Sequence, residues 1–188
     1  MKKRILLMLM SLTGAVTAVA QDSLVGDLAE ACSRLEIVEC GFIQTRHVSL
    51  VDGDIVSRGN MVYRKPDMLR WEYTSPEPFA FEINGQDISI TYGDGGNVTD
   101  VSGNRMYREM VRLLLGAVSG ELVTDERMFS VKVCSDGRTV TARLTPKKGE
   151  LKRLWTCMTM HFEADTYKAL GIDLTEAGGS ETHIEFKY

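Results

Sequence analysis

The chain has 188 residues, of which 44% are hydrophobic and 26% charged, and its formal net charge at pH 7 is −4. This length is ordinary for a single domain with one hydrophobic core, and no repeat, charge block or Pro/Ser-rich linker divides the chain. Because a phosphate backbone repels an acidic protein, the composition argues against a nucleic-acid partner.

The N-terminal segment has the three parts of a secretory signal peptide. Basic residues at positions 2–4 precede an apolar run over 5–12, and a small-x-small cleavage site ends at Ala20. The apolar run is shorter than the roughly 20 residues that a membrane-spanning helix needs. We therefore expect residues 1–20 to be removed on export, with an uncleaved anchor as the alternative. Residues 21–188 are expected to form one domain with a net charge of −7.

The mature chain is predicted to open with a short amphipathic helix and to continue mainly as β-strands. Leu24, Leu28, Ala31 and Leu35 recur at helical spacing. Farther on, apolar and polar residues alternate between Gly- and Asp-containing turns, which is the pattern of strands with one buried face. The residues predicted on the buried faces are Leu69, Trp71, Tyr73, Phe79, Phe81, Ile83, Ile88, Ile90, Tyr92, Phe129, Val131, Val133, Val140, Ala142, Leu144, Met158, Met160, Phe162, Leu170, Ile172, Leu174, Ile184, Phe186 and Tyr188.

The central segment over 104–119 interrupts this alternation with a second helix. Met110, Leu113, Leu114 and Ala117 share one stripe, and only a narrow opposite face is charged. A helix of this kind is expected to cover the apolar side of the sheet. The sequence thus predicts a mainly β (α+β) fold, a curved antiparallel sheet of about ten strands capped by two helices.

The sequence contains no recognisable catalytic or metal-binding motif. Ser119 ends a helix and does not occupy the strand–turn–helix of a nucleophile elbow. His47, His161 and His183 lack the spacing of a triad or a metal site. We therefore predict a protein that is not an enzyme and needs no metal or cofactor. The methionine and aromatic residues of the predicted buried faces suit either a filled core or an adaptable apolar cavity.

Four cysteines, Cys32, Cys40, Cys134 and Cys157, remain after the predicted cleavage and would meet an oxidising compartment. Four cysteines allow three pairings, and the sequence does not choose among them. Free thiols are equally compatible with the pattern, because Cys32 falls on the apolar stripe of the first helix. Cys134 and Cys157 are predicted on the polar faces of their strands.

Four segments carry a combination of motifs in a fixed order. Residues 59–76 combine a Gly-led strand, a basic residue before Pro66, and a Trp-containing strand that ends at a second proline. Residues 42–44 form an F-x-Q strand, residues 144–147 an L-T-P-K turn, and residues 182–186 a closing strand. Together these segments, which extend over nearly the whole mature chain, resemble the LolA family of periplasmic outer-membrane lipoprotein carriers.

The resemblance implies an incomplete, strongly curved antiparallel β-barrel of about ten to eleven strands, covered by two or three helices. Its internal hydrophobic cavity would hold lipoprotein acyl chains, which gain about 0.8 kcal/mol per buried methylene. In the family, an arginine before the first proline hydrogen-bonds to the helical lid. Lys65 takes that position here as the expected lid latch, without arginine's planar fork of donors. The residues expected to line the cavity are Leu69, Trp71, Tyr73, Phe79, Phe81, Ile88, Ile90, Met110, Leu113 and Leu114.

The implied function is that of a monomeric periplasmic chaperone that carries lipoproteins from the inner to the outer membrane. Its expected partners are lipoprotein acyl chains, an inner-membrane lipoprotein-releasing ABC transporter and an outer-membrane receptor. The sequence ends soon after the closing strand, so the C-terminal tail of some carriers is expected to be missing. Two alternatives stay open. One is a paralogous lipid-binding, glycolipid-binding or lipid-sensing protein of the same fold, and the other is a secreted β-domain with a filled core.

Overall fold

The computed structural model describes residues 13–49, 52–93, 96 and 98–188, and the side chains of all of these except 13–22, 106 and 150. Residues 1–12 of the predicted signal peptide lie outside the described residues. Helix α1, Thr13–Ser33, begins before the predicted cleavage point and continues through Ala20, so removal of the segment stays a prediction. Within the described residues, no helix combines the length and apolar character needed to cross a membrane.

Within the described part of the chain, eleven strands form one continuous antiparallel sheet. They are β1 (Ile37–His47), β2 (Asp54–Arg64), β3 (Met68–Ser75), β4 (Phe79–Asn84), β5 (Asp87–Tyr92), β6 (Val98–Asp100), β7 (Phe129–Ser135), β8 (Thr139–Pro146), β9 (Trp155–Glu163), β10 (Ala169–Glu176) and β11 (Glu181–Lys187). In the sheet they follow the order β6-β5-β4-β3-β2-β1-β11-β10-β9-β8-β7. Two meanders are thus joined by the pairing of β1 with β11, and the sheet stays open because β6 and β7 are its edges.

Among the described residues, three helices follow α1 in the chain. They are α2 (Arg105–Val118), α3 (Glu121–Thr124) and α4 (Gly149–Lys152). α1 packs closely against β7 and α3, and α2 packs closely against α3. The predicted fold class, a curved and incomplete antiparallel barrel with a helical cover, is confirmed. The four-residue helices α3 and α4 are additions that the sequence pattern did not predict.

The period-two alternation decides which strand residues enter the core. On β3, Leu69 and Trp71 are 0% and 7% exposed, whereas Arg70 on the other face donates to Glu72 and Glu82, each at 2.7 Å. The same rule holds along β8, where Val140, Ala142 and Leu144 are buried. A buried leucine gains about 1.5–3 kcal/mol relative to an exposed one, so the alternation fixes the register of each strand.

Leu170 departs from its predicted buried face. The pairing of β10 with β9 shifts between Ala169 and Gly171, so Leu170 is the extra residue of a β-bulge. Its side chain is therefore turned outward and is 40% exposed. Ile172 and Leu174, beyond the bulge, pack against the core as predicted.

Three further positions also differ from the sequence prediction. Leu35 lies beyond the end of α1 and is 36% exposed, and Tyr92 and Tyr188, at strand ends, are more than half exposed. Cys157 shares a face of β9 with Thr159, opposite the core-facing methionines, as predicted, and it is buried there beside the Thr159 hydroxyl. All four cysteines are free thiols, and only Cys134 is exposed.

Candidate functional site

An apolar cavity of about 230 Å³ lies between α2 and the inner face of the sheet, and we call it the first cavity. Side chains from both meanders and from α2 enclose it. They are Gln44, Trp71, Tyr73, Phe79, Phe81, Met110, Leu113, Leu114, Ala117, Trp155, Met158, Ile172, Leu174 and Ile184. Such a lining, mostly aliphatic and aromatic with few polar atoms, is typical of a site for an apolar ligand.

Aromatic rings form the sheet side of the first cavity. The rings of Phe42 and Trp71 are 4.5 Å apart, and Tyr73 packs edge-on against Phe42 at 5.2 Å. This cluster depends on Gly59, since a Cβ there would lie 2.5 Å from the Phe42 ring and 1.9 Å from the carbonyl oxygen of Glu72. The glycine that begins the 59–76 motif therefore has a packing role behind the cavity wall.

The polar atoms of the first cavity satisfy one another. The Tyr73 hydroxyl donates to Oε1 of Gln44 at 2.9 Å. Burial raises the pKa of Tyr73 above its ordinary value, against the opposing effect of its hydrogen bonds. A cavity whose buried polar groups are already paired favours an apolar guest, because such a guest leaves none of those groups unsatisfied.

Helix α2 forms the opposite wall. Met110, Leu113, Leu114 and Ala117 project toward the sheet along one stripe. Polar contacts hold the first turn and the middle of the helix. Nη1 of Arg108 donates to the carbonyl oxygen of Ser102 at 2.8 Å, and Arg112 pairs with Asp125 at 3.2 Å. α2 is thus held both by its apolar stripe and by these two polar contacts.

The structure brings together seven of the ten residues predicted to line a cavity. Those seven are Trp71, Tyr73, Phe79, Phe81, Met110, Leu113 and Leu114. Leu69, Ile88 and Ile90 are placed elsewhere, in the packed core of the first meander, at 0%, 3% and 2% exposure. They lie on the predicted face, but neighbouring side chains cover them. A role in binding stays a prediction for all ten residues.

Lys65, the predicted latch, contacts the end of α1. Its Nζ donates to the carbonyl oxygen of Ser33 at 2.9 Å and lies 3.4 Å from Oε1 of Glu36. A cation at this position complements the negative end of the helix dipole and satisfies a carbonyl without an intrahelical partner. The contact is therefore with α1 and not with α2, and its function as a latch stays a prediction.

A second cavity, of about 330 Å³, lies on the other side of Ala117 and Ile172, which line both cavities. We call it the second cavity. It is bounded by the end of α1, the first residues of β1 and the β9–β10 turn. Its remaining lining residues are Ala31, Cys32, Leu35, Ile37, Val38, Glu39, Met61, Val118, Met160, Phe162, Thr166, Tyr167, Lys168, Ala169, Phe186 and Tyr188.

The histidines lie away from both cavities. Asp173 accepts from Nε2 of His161 at 2.7 Å and from Nδ1 of His183 at 2.5 Å, on the outer face of β9–β11. Burial tends to raise the pKa of Asp173, but these two hydrogen bonds outweigh it and lower the pKa. His47 contacts Asp54 at 3.1 Å on another part of the sheet. In the part of the chain that the structure describes, no cluster of His, Cys, Asp or Glu is arranged to hold a metal ion.

Sequence reasoning missed half of the first cavity. Gln44 belongs to the F-x-Q motif and Ala117 to the α2 stripe, so the sequence marked both without assigning them to the lining. Met158, Ile172, Leu174 and Ile184 were predicted only as buried strand residues. Trp155, at the start of β9, carried no signal. The strand pattern predicts which face is buried, but it does not show which buried residues border empty space.

Comparison with known families gives one match. The model of the family described as Outer membrane lipoprotein carrier protein LolA matches residues 33–188 of the chain. Among curated proteins, none has a sequence that matches this chain significantly.

The similar solved structures are distant in sequence. MucB has a TM-score of 0.51 at 14% identity, over 89% of this chain and 57% of MucB; MucB has also been solved in complex with MucA. A LolA superfamily protein from Nitrosomonas europaea has a TM-score of 0.48 at 9% identity, covering 89% of this chain and 91% of that protein. A putative outer membrane lipoprotein-sorting protein domain from Vibrio parahaemolyticus has a TM-score of 0.42 at 7% identity, covering 90% and 91%.

Proposed function

Because the chain belongs to the LolA family of outer membrane lipoprotein carrier proteins, we propose that it is a periplasmic carrier that holds lipoprotein acyl chains in the first cavity. In this role it accepts lipoproteins from an inner-membrane ABC transporter and delivers them to the outer membrane. The observation that supports the proposal best is the first cavity itself, whose partly buried polar side chains Gln44 and Tyr73 already bond each other.

The physical requirement for such a carrier is a dry cavity and not a reactive group. Each methylene moved from water into the cavity contributes about 0.8 kcal/mol, so about ten buried methylenes are needed for micromolar binding. The chain must also release its cargo. Release requires α2 to move away from the sheet, which breaks the ion pair between Arg112 and the partly buried Asp125 and exposes the buried Leu113 and Ala117. The loss of apolar burial is thus part of the cost of opening.

The first experiment identifies what the protein carries. The mature protein is purified from the envelope and examined by native mass spectrometry, followed by identification of bound lipid and peptide. Triacylated lipoprotein N-termini support the proposal. A protein that is empty and also fails to bind a synthetic triacylated lipopeptide contradicts it.

A matched pair of variants tests the assignment to the first cavity. Leu114→Glu places a carboxylate against its apolar lining, where burying an unpaired charge is costly, so lipopeptide binding should fall more than tenfold. Leu170→Glu makes the same change at the exposed bulge and should bind normally. Binding is followed by the fluorescence of Trp71 and Trp155, which line the cavity. Equal binding by the two variants would exclude the first cavity as the acyl-chain site.

The second candidate is a lipid-binding or lipid-sensing paralogue of the same fold. The size of the cavities favours it, because about 230 and 330 Å³ lie at or below the low end of small-ligand sites. Three acyl chains would require α2 to move outward, whereas one chain fits with less rearrangement. Free lipid or glycolipid in the mass spectrum, without lipoprotein peptides, supports this candidate over the carrier.

A further inference from the structure

The second cavity opens at a gap in the sheet. β11 pairs with β1 from Gly41 onward, so the first four residues of β1, 37–40, have β2 as their strand neighbour and no partner on the other side. Ile37 and Val38 line the cavity at this gap, and Ile37 is 58% exposed. Apolar side chains therefore continue from the interior to the surface, which is the form of an entrance for an apolar chain.

Lys168 and Tyr188 stand together at this entrance. Both line the second cavity, and Nζ of Lys168 lies 3.6 Å from the centre of the Tyr188 ring. Tyr188 is 54% exposed and directly follows Lys187, the last residue of β11 that pairs with β1. An exposed cation–π contact of this kind contributes about 0.5–1 kcal/mol, so an entering ligand can displace the ring from the ammonium at little cost.

The β9–β10 turn holds Lys168 in this position. The backbone N–H of Glu163 donates to the carbonyl oxygen of Lys168, and the N–H of Tyr167 donates to the carbonyl oxygen of Glu163, both at 2.9 Å. Tyr167 has a φ of 54°, an uncommon conformation for a bulky residue that costs free energy. Its ring packs against the core and lines the second cavity, which compensates for that cost and fixes the turn.

The ammonium of Lys168 lacks an anionic partner at this entrance. Among the described residues, no carboxylate lies within ion-pair distance of it, and the nearby Glu39 accepts from Nη2 of Arg64 at 3.1 Å. Burial raises the pKa of Tyr188 to about 12, and it raises the pKa of Cys40 to about 11 against the opposing charge of Lys168. Both groups are thus neutral at pH 7. The exposed Glu39, which also lines this cavity, is engaged by Arg64, so Lys168 is the unpaired charge among the described residues of the entrance, above a mostly apolar interior.

We propose that the second cavity binds one acyl chain whose anionic head group, a carboxylate or a phosphate, is held by Lys168 at the entrance. The proposal extends the proposed function, because it rests on the protein binding acyl chains and adds a second site with a charge preference. The head group contacts the ammonium while the chain passes between Ile37 and Tyr188 into the cavity. A neutral amphiphile cannot make the ionic contact with the ammonium, and an inorganic anion has no chain to enter the cavity.

The test compares amphiphiles that differ only in the head group. Dodecanoate, dodecyl phosphate and neutral monododecanoyl glycerol are titrated into the full mature protein by calorimetry, below their micelle concentrations. Since a charge-assisted hydrogen bond at an exposed site is modest in strength, we expect the two anionic probes to bind about five- to tenfold more tightly than the neutral one. Raising the salt to 0.5 M should reduce this ratio. The stronger of the two anions identifies the head group.

Two variants locate the preference. Lys168→Gln removes the charge but keeps a polar side chain, one atom shorter, and should reduce the anionic-to-neutral ratio to about one, whereas Lys132→Gln, at an exposed lysine of β7 outside the lining, should leave it unchanged. A ratio near one in the wild-type protein, or a ratio that survives Lys168→Gln or is lost in Lys132→Gln, would overturn the proposal while leaving acyl-chain binding intact. Failure of all three probes to bind would contradict the proposed function as well.

Discussion

The two cavities differ in the surroundings that enclose them, although they share Ala117 and Ile172. Aromatic rings and one stripe of α2 enclose the first cavity, and its partly buried polar side chains Gln44 and Tyr73 bond each other. The second cavity has Lys168 at its entrance, where the first residues of β1 pair with β2 alone among the described strands. The comparison teaches that one curved sheet can hold two cavities of different character, one lined almost entirely by apolar groups and the other with a lysine at its entrance.

The largest expected effect is the difference in stability cost between a truncation in the packed core and one in the cavity wall. Leu69→Ala removes a side chain that is fully buried and surrounded, so it should lower the free energy of unfolding by about 2–5 kcal/mol. Leu114→Ala acts at a half-buried residue that borders empty space and should cost about 1 kcal/mol or less, because fewer contacts are lost. Urea denaturation measures both. Equal costs would mean that α2 packs as tightly as the sheet and that the cavity is closed.

The next prediction concerns whether one long acyl chain occupies both cavities. Ala117→Leu adds three carbons at the junction that the cavities share. If a 16-carbon chain extends from one into the other, excluding two or three methylenes costs about 2 kcal/mol, or more than tenfold in affinity. An eight-carbon chain, which needs one cavity only, is the internal control and should bind unchanged. A parallel loss for both lengths would indicate general damage to the fold and not a blocked junction.

A smaller effect concerns the attachment of α1 beside the second cavity. Lys65→Ala removes the donor to the Ser33 carbonyl and should cost about 0.3–1 kcal/mol, the range for a cation at a helix C-terminus. Faster hydrogen exchange is expected in the last turn of α1, which borders the second cavity, with no change in α2. Lys65→Arg keeps the charge and should restore protection. Faster hydrogen exchange in α2 instead would indicate that Lys65 acts as a latch on α2, the helical wall of the first cavity.

The smallest effect lies on the outer face, opposite both cavities. Because the folded-state pKa of Asp173 is lowered, its ionisation contributes stability above its ordinary pKa of about 3.9, and this contribution is lost as the pH falls through the lower folded value. The group is 44% exposed, so solvent screening limits the contribution to below about 1 kcal/mol. Asp173→Asn should flatten the unfolding free energy between about pH 5 and 3, with binding in both cavities unaffected. An altered affinity would show that the outer face is coupled to the interior.

The sheet could be predicted from the sequence because each strand carries its own local signal. Alternation placed Leu69, Trp71 and Ile83 on the buried face, and the structure agrees. Leu170 was placed wrongly because a bulge changes the period at one residue, and the registers that create it depend on a neighbouring strand. Cys157 lies on the predicted outer face of β9, but its burial there could not be predicted, because the alternation shows which face a residue is on and not what covers that face.

The cavities could be predicted only in part, because the sequence pattern shows which residues are buried but not which of them border empty space. Trp71 and Leu114 were marked by motif and helical stripe, and both line the first cavity. Ile88 and Ile90 share the same strand face but lie where neighbours fill the space. The second cavity was missed entirely because its entrance joins α1, β1 and the β9–β10 turn, segments that are far apart in the chain.

The pairing of β1 with β11 also governs the order in which the molecule can assemble. Gly41 pairs with Lys187 and Phe42 with Phe186, so this seam joins residues separated by nearly the whole domain, whereas every other strand pairs with its neighbour in the chain. Local hairpins form early, but contacts between distant segments carry a large loop-closure entropy and form slowly. Until β11 arrives, one side of β1 remains an unpaired edge that can pair with other chains. The pairing of β11 with β1, which completes the interior, is thus the step at which folding competes with aggregation.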